Sequence, residues 1–229
     1  KIMKKYFLVL GIVTTILFSS CSTKNDCNTL WGFNGHVKTS LEKVYDAEEK
    51  FGNWENGDIN YYGHSLTKFD KNGNYTEINQ LDSDGKMTKK TIPIRENGRV
   101  IEEITYNKDG KKESLTKIIF INNNETESVS YDNKGNKESS GKIFRENGKN
   151  IKSTYTLEGG DKIITSWEYD KNGNDISLKT VNQKGEILYY EKYEYLKFDE
   201  KNNWTRKLIY KDSDNDNPKN IVIREIKYY

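Results

Sequence analysis

The sequence predicts an all-β protein: an antiparallel meander of about 13 strands, built from 25-residue two-hairpin repeats and forming one long twisted or curled sheet. Three observations carry this. Turn residues recur at Gly73/Gly85, Gly98/Gly110, Asn123/Gly135, Gly148/Gly160 and Gly173/Gly185, with spacings alternating 12 and 13. Nearly every turn opens on Asp or Asn, or closes on Asn-Gly, Asp-Gly or Lys-Gly, residues that bond their own backbone or accept positive φ. Between turns lie about eight residues rich in Thr, Ile, Val, Tyr, Lys and Glu, enough for a strand of roughly 26 Å.

The elements follow in order. Residues 1–20 read as a signal peptide: Lys1, Lys4 and Lys5 precede an apolar run from Phe7 to Phe18. Twelve apolar residues make a helix of roughly 18 Å, short of a hydrocarbon core near 30 Å. Ser19-Ser20-Cys21 resembles the lipobox of bacterial lipoproteins, with Phe18 where that motif has leucine; the resemblance implies lipidation of Cys21 and cleavage before it. Residues 21–34 form a polar tether, with Leu30, Trp31 and Phe33 as first contacts on the folded body. Residues 35–229 form the repeat domain. Val37 to Tyr45 alternates as a strand, and Ala47-Glu48-Glu49-Lys50 looks briefly helical, so a strand leading into a long connection is expected. The units then start at Phe69, Ile94, Ile119, Phe144 and Tyr169. These residues mark one rim of a single apolar seam, with Leu81, Tyr106, Tyr131 and Val181 near the other.

Removing residues 1–20 takes away three lysines and no acid, leaving 34 basic against 35 acidic residues and a net charge near −1. No basic excess remains for a phosphate backbone, so no nucleic-acid partner is expected. A chain that is 33% apolar and 31% charged has a thin core, yet its 16 tyrosines are unlike a disordered tail. No strand offers the clean apolar outer face that lipid demands of a membrane barrel. Cys27 reads as a passenger in the tether.

The recurring aromatic-Asp-x-x-Gly-Asn signature, as in Phe69-Asp70-Lys71-Asn72-Gly73-Asn74 and Tyr169-Asp170-Lys171-Asn172-Gly173-Asn174, resembles the YD repeats of the Rhs group. The ending from Tyr195 to Arg206, closing on Arg224-Glu225-Ile226-Lys227-Tyr228-Tyr229, is similar to the C-terminal unit of small bacterial envelope lipoproteins built from such repeats. Gly35-His36-Val37-Lys38 through Lys50-Phe51-Gly52 is similar to their start. Asn123 and Asn202 stand where the turn glycine belongs. The resemblance implies a non-catalytic β-rich sheet, with sugar binding suggested for Rhs-type repeats and immunity roles for related hairpin arrays.

Candidate sites are few. His36 and His64 cannot assemble a three-His metal site or a histidine-based triad, and the regularly spaced turn acids mark no carboxylate pair above the rest; no enzyme activity and no cofactor are expected. Asp212-x-Asp214-x-Asp216 is the best metal candidate, because three acids crowded in one loop repel one another unless neutralised. For ligand binding, the aromatic C-terminal third offers Trp167, Tyr189, Tyr193, Tyr195 and Trp204, flat rings with polar tips on which sugars and peptides stack; the competing reading is that alternate rings form the seam core. The expectation is a lipid-anchored, non-catalytic lipoprotein of the bacterial envelope, placed at the outer membrane. Its partners are the bilayer, through acylated Cys21, and a glycan or envelope protein. The alternative is an immunity or toxin-neutralising protein with a protein partner.

Overall fold

Two turn chemistries build the molecule. At Asp70, Asp82, Asn107, Asp132, Asp170, Asn182 and Asp199, the side-chain Oδ1 accepts the backbone N–H two residues on, and the glycine or Asn202 that closes the turn adopts positive φ. Asn97-Gly98 and Asn147-Gly148 instead place both residues at positive φ, the tight two-residue hairpin geometry.

The structure, a computed structural model, describes residues 32–60, 63–211 and 216–229. The expected signal peptide, Cys21 and most of the tether therefore lie outside the described residues, as do Asp212 and Asp214. Fifteen strands follow in order: β1 (Val37–Lys50), β2 (Asn53–Ile59), β3 (His64–Phe69), β4 (Tyr75–Leu81), β5 (Met87–Glu96), β6 (Arg99–Asn107), β7 (Lys112–Asn122), β8 (Glu125–Asp132), β9 (Lys137–Glu146), β10 (Lys149–Leu157), β11 (Lys162–Tyr169), β12 (Asp175–Asn182), β13 (Ile187–Phe198), β14 (Trp204–Lys211) and β15 (Asn220–Tyr228).

All pairings are antiparallel, and β15 pairs back onto β1 from Val37↔Tyr228 to Asp46↔Asn220. The expected antiparallel meander is present, and the long twisted or curled sheet takes a closed form: the meander joins into a 14-strand barrel, with β2 as a fifteenth strand beside the C-terminal half of β1. Closure removes the two long edges that an open sheet of this length would expose. The long connection expected after Tyr45 is absent. β1 runs on through Ala47–Lys50 as strand and returns directly as β2.

His64, the first residue of β3, ties β1 to the residue that follows β2. The Val44 N–H donates to His64 Nδ1 at 3.1 Å, and His64 Nε2 lies 2.5 Å from the Asn60 carbonyl. Because Nδ1 accepts, Nε2 must carry the proton. His36, by contrast, is exposed.

The barrel interior is filled mainly by small polar and β-branched side chains. Thr126, Ser128 and Ser130 of β8, Ser139 of β9, Ser153 of β10 and Thr165 of β11 are all buried. Hydroxyls pair across strands, Thr91 with Thr105 at 3.0 Å, Thr116 with Ser130 at 2.9 Å and Thr165 with Thr180 at 3.0 Å, whereas, among the described residues, the buried Ser40 and Ser153 hydroxyls make no hydrogen bond. Around them packs a cluster including Phe69, Tyr75, Val100, Ile143, Tyr155 and Ile163. The single apolar seam is thereby divided: Phe69 faces inward and is buried, while Ile94 and Ile119 face outward and are exposed. The outer wall carries ion pairs between neighbouring strands, among them Lys68–Glu77, Lys43–Glu225 and Lys142 with both Glu125 and Glu127; Lys43 and Lys142 stand in mid-strand.

Phe33 and Asn34 close one end. Phe33 is buried edge-on against Phe69 at 5.6 Å. The Asn203 side chain accepts from the Asn34 N–H at 2.6 Å and donates to the Asn34 carbonyl at 2.9 Å.

Candidate functional site

The register of β12 to β15 and β1 gathers one set of side chains on the inner face at the Phe33 end, around a buried cluster of Trp204, Ile209 and Val222 against which Val44, Tyr193 and Tyr195 pack. Tyr193 and Tyr195 share a face of β13; across β14 they stand opposite Ile209 and Lys207. Lys207 is opposite Val222, and Arg224, two residues on, is opposite Glu42. The structure thus brings together four of the five aromatic residues singled out in the sequence. Tyr195 and Trp204 lie 5.7 Å apart between ring centroids. Tyr189 and Tyr193 both donate to the Glu191 carboxylate, the latter at 2.7 Å. Trp167 shares the inner face of β11 with Thr165 but, among the described residues, makes no ring contact with the other four. Tyr190 and Tyr210 point outward; Tyr210 bonds Glu194 at 2.6 Å.

Charged groups that the sequence reading did not single out complete the site. Arg224 donates through Nε and Nη2 to one oxygen of Glu42, at 2.9 and 2.6 Å, and its guanidinium lies 3.4 Å from the centre of the Trp204 ring and 4.8 Å from that of Phe33. Lys207 Nζ stands 4.5 Å from the Tyr193 ring and 4.6 Å from the Trp204 ring. Asp175 begins β12, and its main-chain carbonyl accepts the Tyr195 hydroxyl at 2.8 Å. The signal that could have found these groups is strand phase: each occupies the side of its strand that the inward tyrosines define. Reading it required the pairing register, which bulges at Tyr195/Lys197 and Lys197/Phe198 shift.

The electrostatics separate these groups. Burial pushes the Glu42 carboxyl up, but the charges of Arg224 and Lys207 and the Arg224 hydrogen bond outweigh it, leaving Glu42 below its ordinary range. Burial raises Asp175, with Lys207, Arg224 and Lys149 only partly offsetting it. Burial lowers Lys207, against the pull of Glu42 and Asp175. The phenols of Tyr189, Tyr193 and Tyr195 are raised by burial, which keeps them protonated donors. Unlike the filled wall of β8 to β11, Tyr189, Tyr193, Tyr195, Glu42 and Lys207 keep part of their surface open to water. The cluster is aromatic and charge-balanced, and its partly open tyrosines, Glu42 and Lys207 are the groups a polar ligand could reach.

The metal candidate is not assembled. Asp216 is exposed in the loop before β15, and Asp212 and Asp214 lie outside the described residues. Among the described residues no group of three or more His, Cys, Asp or Glu is placed to hold a metal ion.

No known protein family matches the sequence, and no curated protein matches it. Among solved structures, the chain is similar to a porin-like protein from Bacteroides vulgatus ATCC 8482, with 12% identity and a TM-score of 0.40 over 86% of this chain and 99% of that one. It is also similar to a porin-like protein from Bacteroides uniformis ATCC 8492, with 11% identity and a TM-score of 0.34; there the likeness covers 79% of this chain and 57% of that chain's length.

Proposed function

We propose that the protein is a non-catalytic surface lipoprotein of the bacterial envelope, held at the outer membrane by acylated Cys21, whose barrel binds a glycan or an envelope protein. The observation that carries this reading is the inner cluster at the Phe33 end: the half-buried rings of Tyr193 and Tyr195 stand beside Lys207 and Glu191 on one face, over a core of Trp204, Ile209 and Val222, and ring surface next to charged groups is the combination on which sugars and peptides settle. The ion-paired outer wall favours an anchored rather than a membrane-spanning barrel, since a Lys at the bilayer midplane costs about 2–4 kcal/mol. A protein partner that pairs with an open sheet edge finds little to join here, because the ring is closed and only β2 stands beside it.

The test has two arms. In flotation of cell envelopes, the full chain is expected with the membranes and Cys21→Ala in the soluble fraction; a Cys21→Ala protein that still floats would overturn the anchor. In affinity electrophoresis through envelope polysaccharide, the protein is expected to be retarded and Tyr195→Ala to lose that retardation. Equal mobility with and without polysaccharide, together with no partner captured from cross-linked envelopes, would remove the binding role.

A further inference from the structure

The chain enters the barrel at the end that Phe33 and Asn34 close. Phe33 packs on Phe69, and Asn34 is bonded to Asn203 in the turn after β13, so this end carries the turns that follow the odd-numbered strands from β3 to β13. Exposed apolar side chains gather round that rim. Ile94 of β5, Ile119 and Ile121 of β7, Ile151 of β10, and Leu196 and Phe198 of β13 all stand beside those turns and are exposed. Among the described residues, Phe51, Ile59 and Ile187 alone are large, apolar and exposed away from it. The rim residues are spread along the ring from β5 to β13 and form no compact patch. A flat surface meets such an arc along its whole length, whereas a globular partner meets it at one place. Beside the rim the wall is already charged: Glu127, opposite Ile119, is held by Lys142. The apolar band is therefore shallow, suited to the headgroup boundary of a bilayer and not to its hydrocarbon core. The route of the chain selects the same surface. Eleven residues, 22–32, separate Cys21 from Phe33, a reach of roughly 36–40 Å at full extension. Acyl chains on Cys21 would hold this rim, not the opposite one, next to the membrane.

We propose that the Phe33 end of the barrel rests on the lipid bilayer, with Ile94, Ile119, Ile121 and Phe198 seated at headgroup level and the rest of the barrel standing clear. The assignment rests on the lipid-anchor reading proposed above and gives the anchored barrel an orientation. Shallow contact of this kind is reversible by itself, so Cys21→Ala is still expected in the soluble fraction.

The test is photo-cross-linking of the full chain in cell envelopes, with p-benzoylphenylalanine replacing Ile119, Ile121 or Ile187 one at a time. The three are matched in exposure, at 49%, 51% and 52%, and differ in the end of the barrel they occupy. Mass spectrometry of the irradiated protein is expected to find phospholipid adducts at 119 and 121 at least tenfold above those at 187. Adding Ile121→Glu to the probe at 119 should lower its lipid yield at least fivefold. The proposal falls if the two ends give equal lipid yields, as a spanning or side-lying barrel would, or if neither end gives any. It also falls if the adducts at 119 and 121 are to protein, whether a second copy of this chain or another partner. Missing lipid adducts in a full chain that floats with the membranes, while Cys21→Ala does not, would remove the rim contact and keep the anchor. A full chain that stays soluble would remove both.

Discussion

Two residues in the filled half of the barrel show how closely it tolerates change. Glu103 is buried, with the Tyr75 hydroxyl donating to it at 2.5 Å; burial raises its carboxyl from 4.5 to about 7, against the opposing pull of that hydrogen bond and of Arg95. The folded state therefore holds a proton that the unfolded chain has already released. The associated stability is complete below about pH 4 and is lost as pH rises through about 7, a change of about 3 kcal/mol at most. Glu103→Gln keeps an acceptor for Tyr75 and carries no charge. Urea denaturation of both proteins from pH 5 to 8 should show the variant gaining relative to the wild type as pH rises; a constant difference across that range would contradict the assignment. Gly141 is the second case. A Cβ there would lie 2.4 Å from Cδ1 of the Tyr155 ring, because the glycine is opposite Tyr155 and the ring lies across its backbone. Gly141→Ala should cost about 1–3 kcal/mol in the same assay.

At the scale of the element, the turn decides which face each strand presents, and this is where sequence reading reached its limit. The 12–13 spacing made the hairpins legible, and the alternation of buried and half-buried residues along β8 is the pattern expected of a strand with one inner face. The periodic residues Phe69 and Ile94 nevertheless diverge. Asp70 to Gly73 closes a longer turn and leaves Phe69 inside, whereas Asn97-Gly98 closes a two-residue turn beside a bulge at Ile94/Arg95 that sends Arg95 in and Ile94 out. A repeat of residue types did not imply a repeat of orientation, so the aromatics of the inner cluster were legible as a group while their charged neighbours were not. The segment before β1 behaves as an element in its own right, held by Asn203, which also donates to the Tyr228 hydroxyl at 2.6 Å and is almost wholly buried. Asn203→Ala should cost about 1–3 kcal/mol. Hydrogen exchange at Asn34, whose N–H the Asn203 side chain accepts, should rise well before exchange in β8 to β10. Unchanged protection at Asn34 would show that Phe33 alone holds the segment.

For the whole molecule, the decisive contact is the seam between the first and last strands. Every other pairing in the ring joins strands that are neighbours along the chain or nearly so, but β1 meets β15 across almost the full sequence, with Val37 opposite Tyr228. Local hairpins close short loops and form readily, while the seam must wait until the meander has curled enough to bring its ends together. The seam should therefore be absent from the folding transition state, and the β8–β10 wall present in it. Val222, buried and facing inward from β15, reports on the seam; Ile143, buried on β9, reports on the wall. Truncating either to alanine should remove about 2 kcal/mol. In stopped-flow chevrons, Val222→Ala is expected to speed unfolding by roughly 30-fold with little change in folding, and Ile143→Ala to slow folding by a comparable share of its own loss. The reverse assignment would mean that closure is the nucleating event, and the ring would then have to be understood as a sheet that forms only once its ends have met.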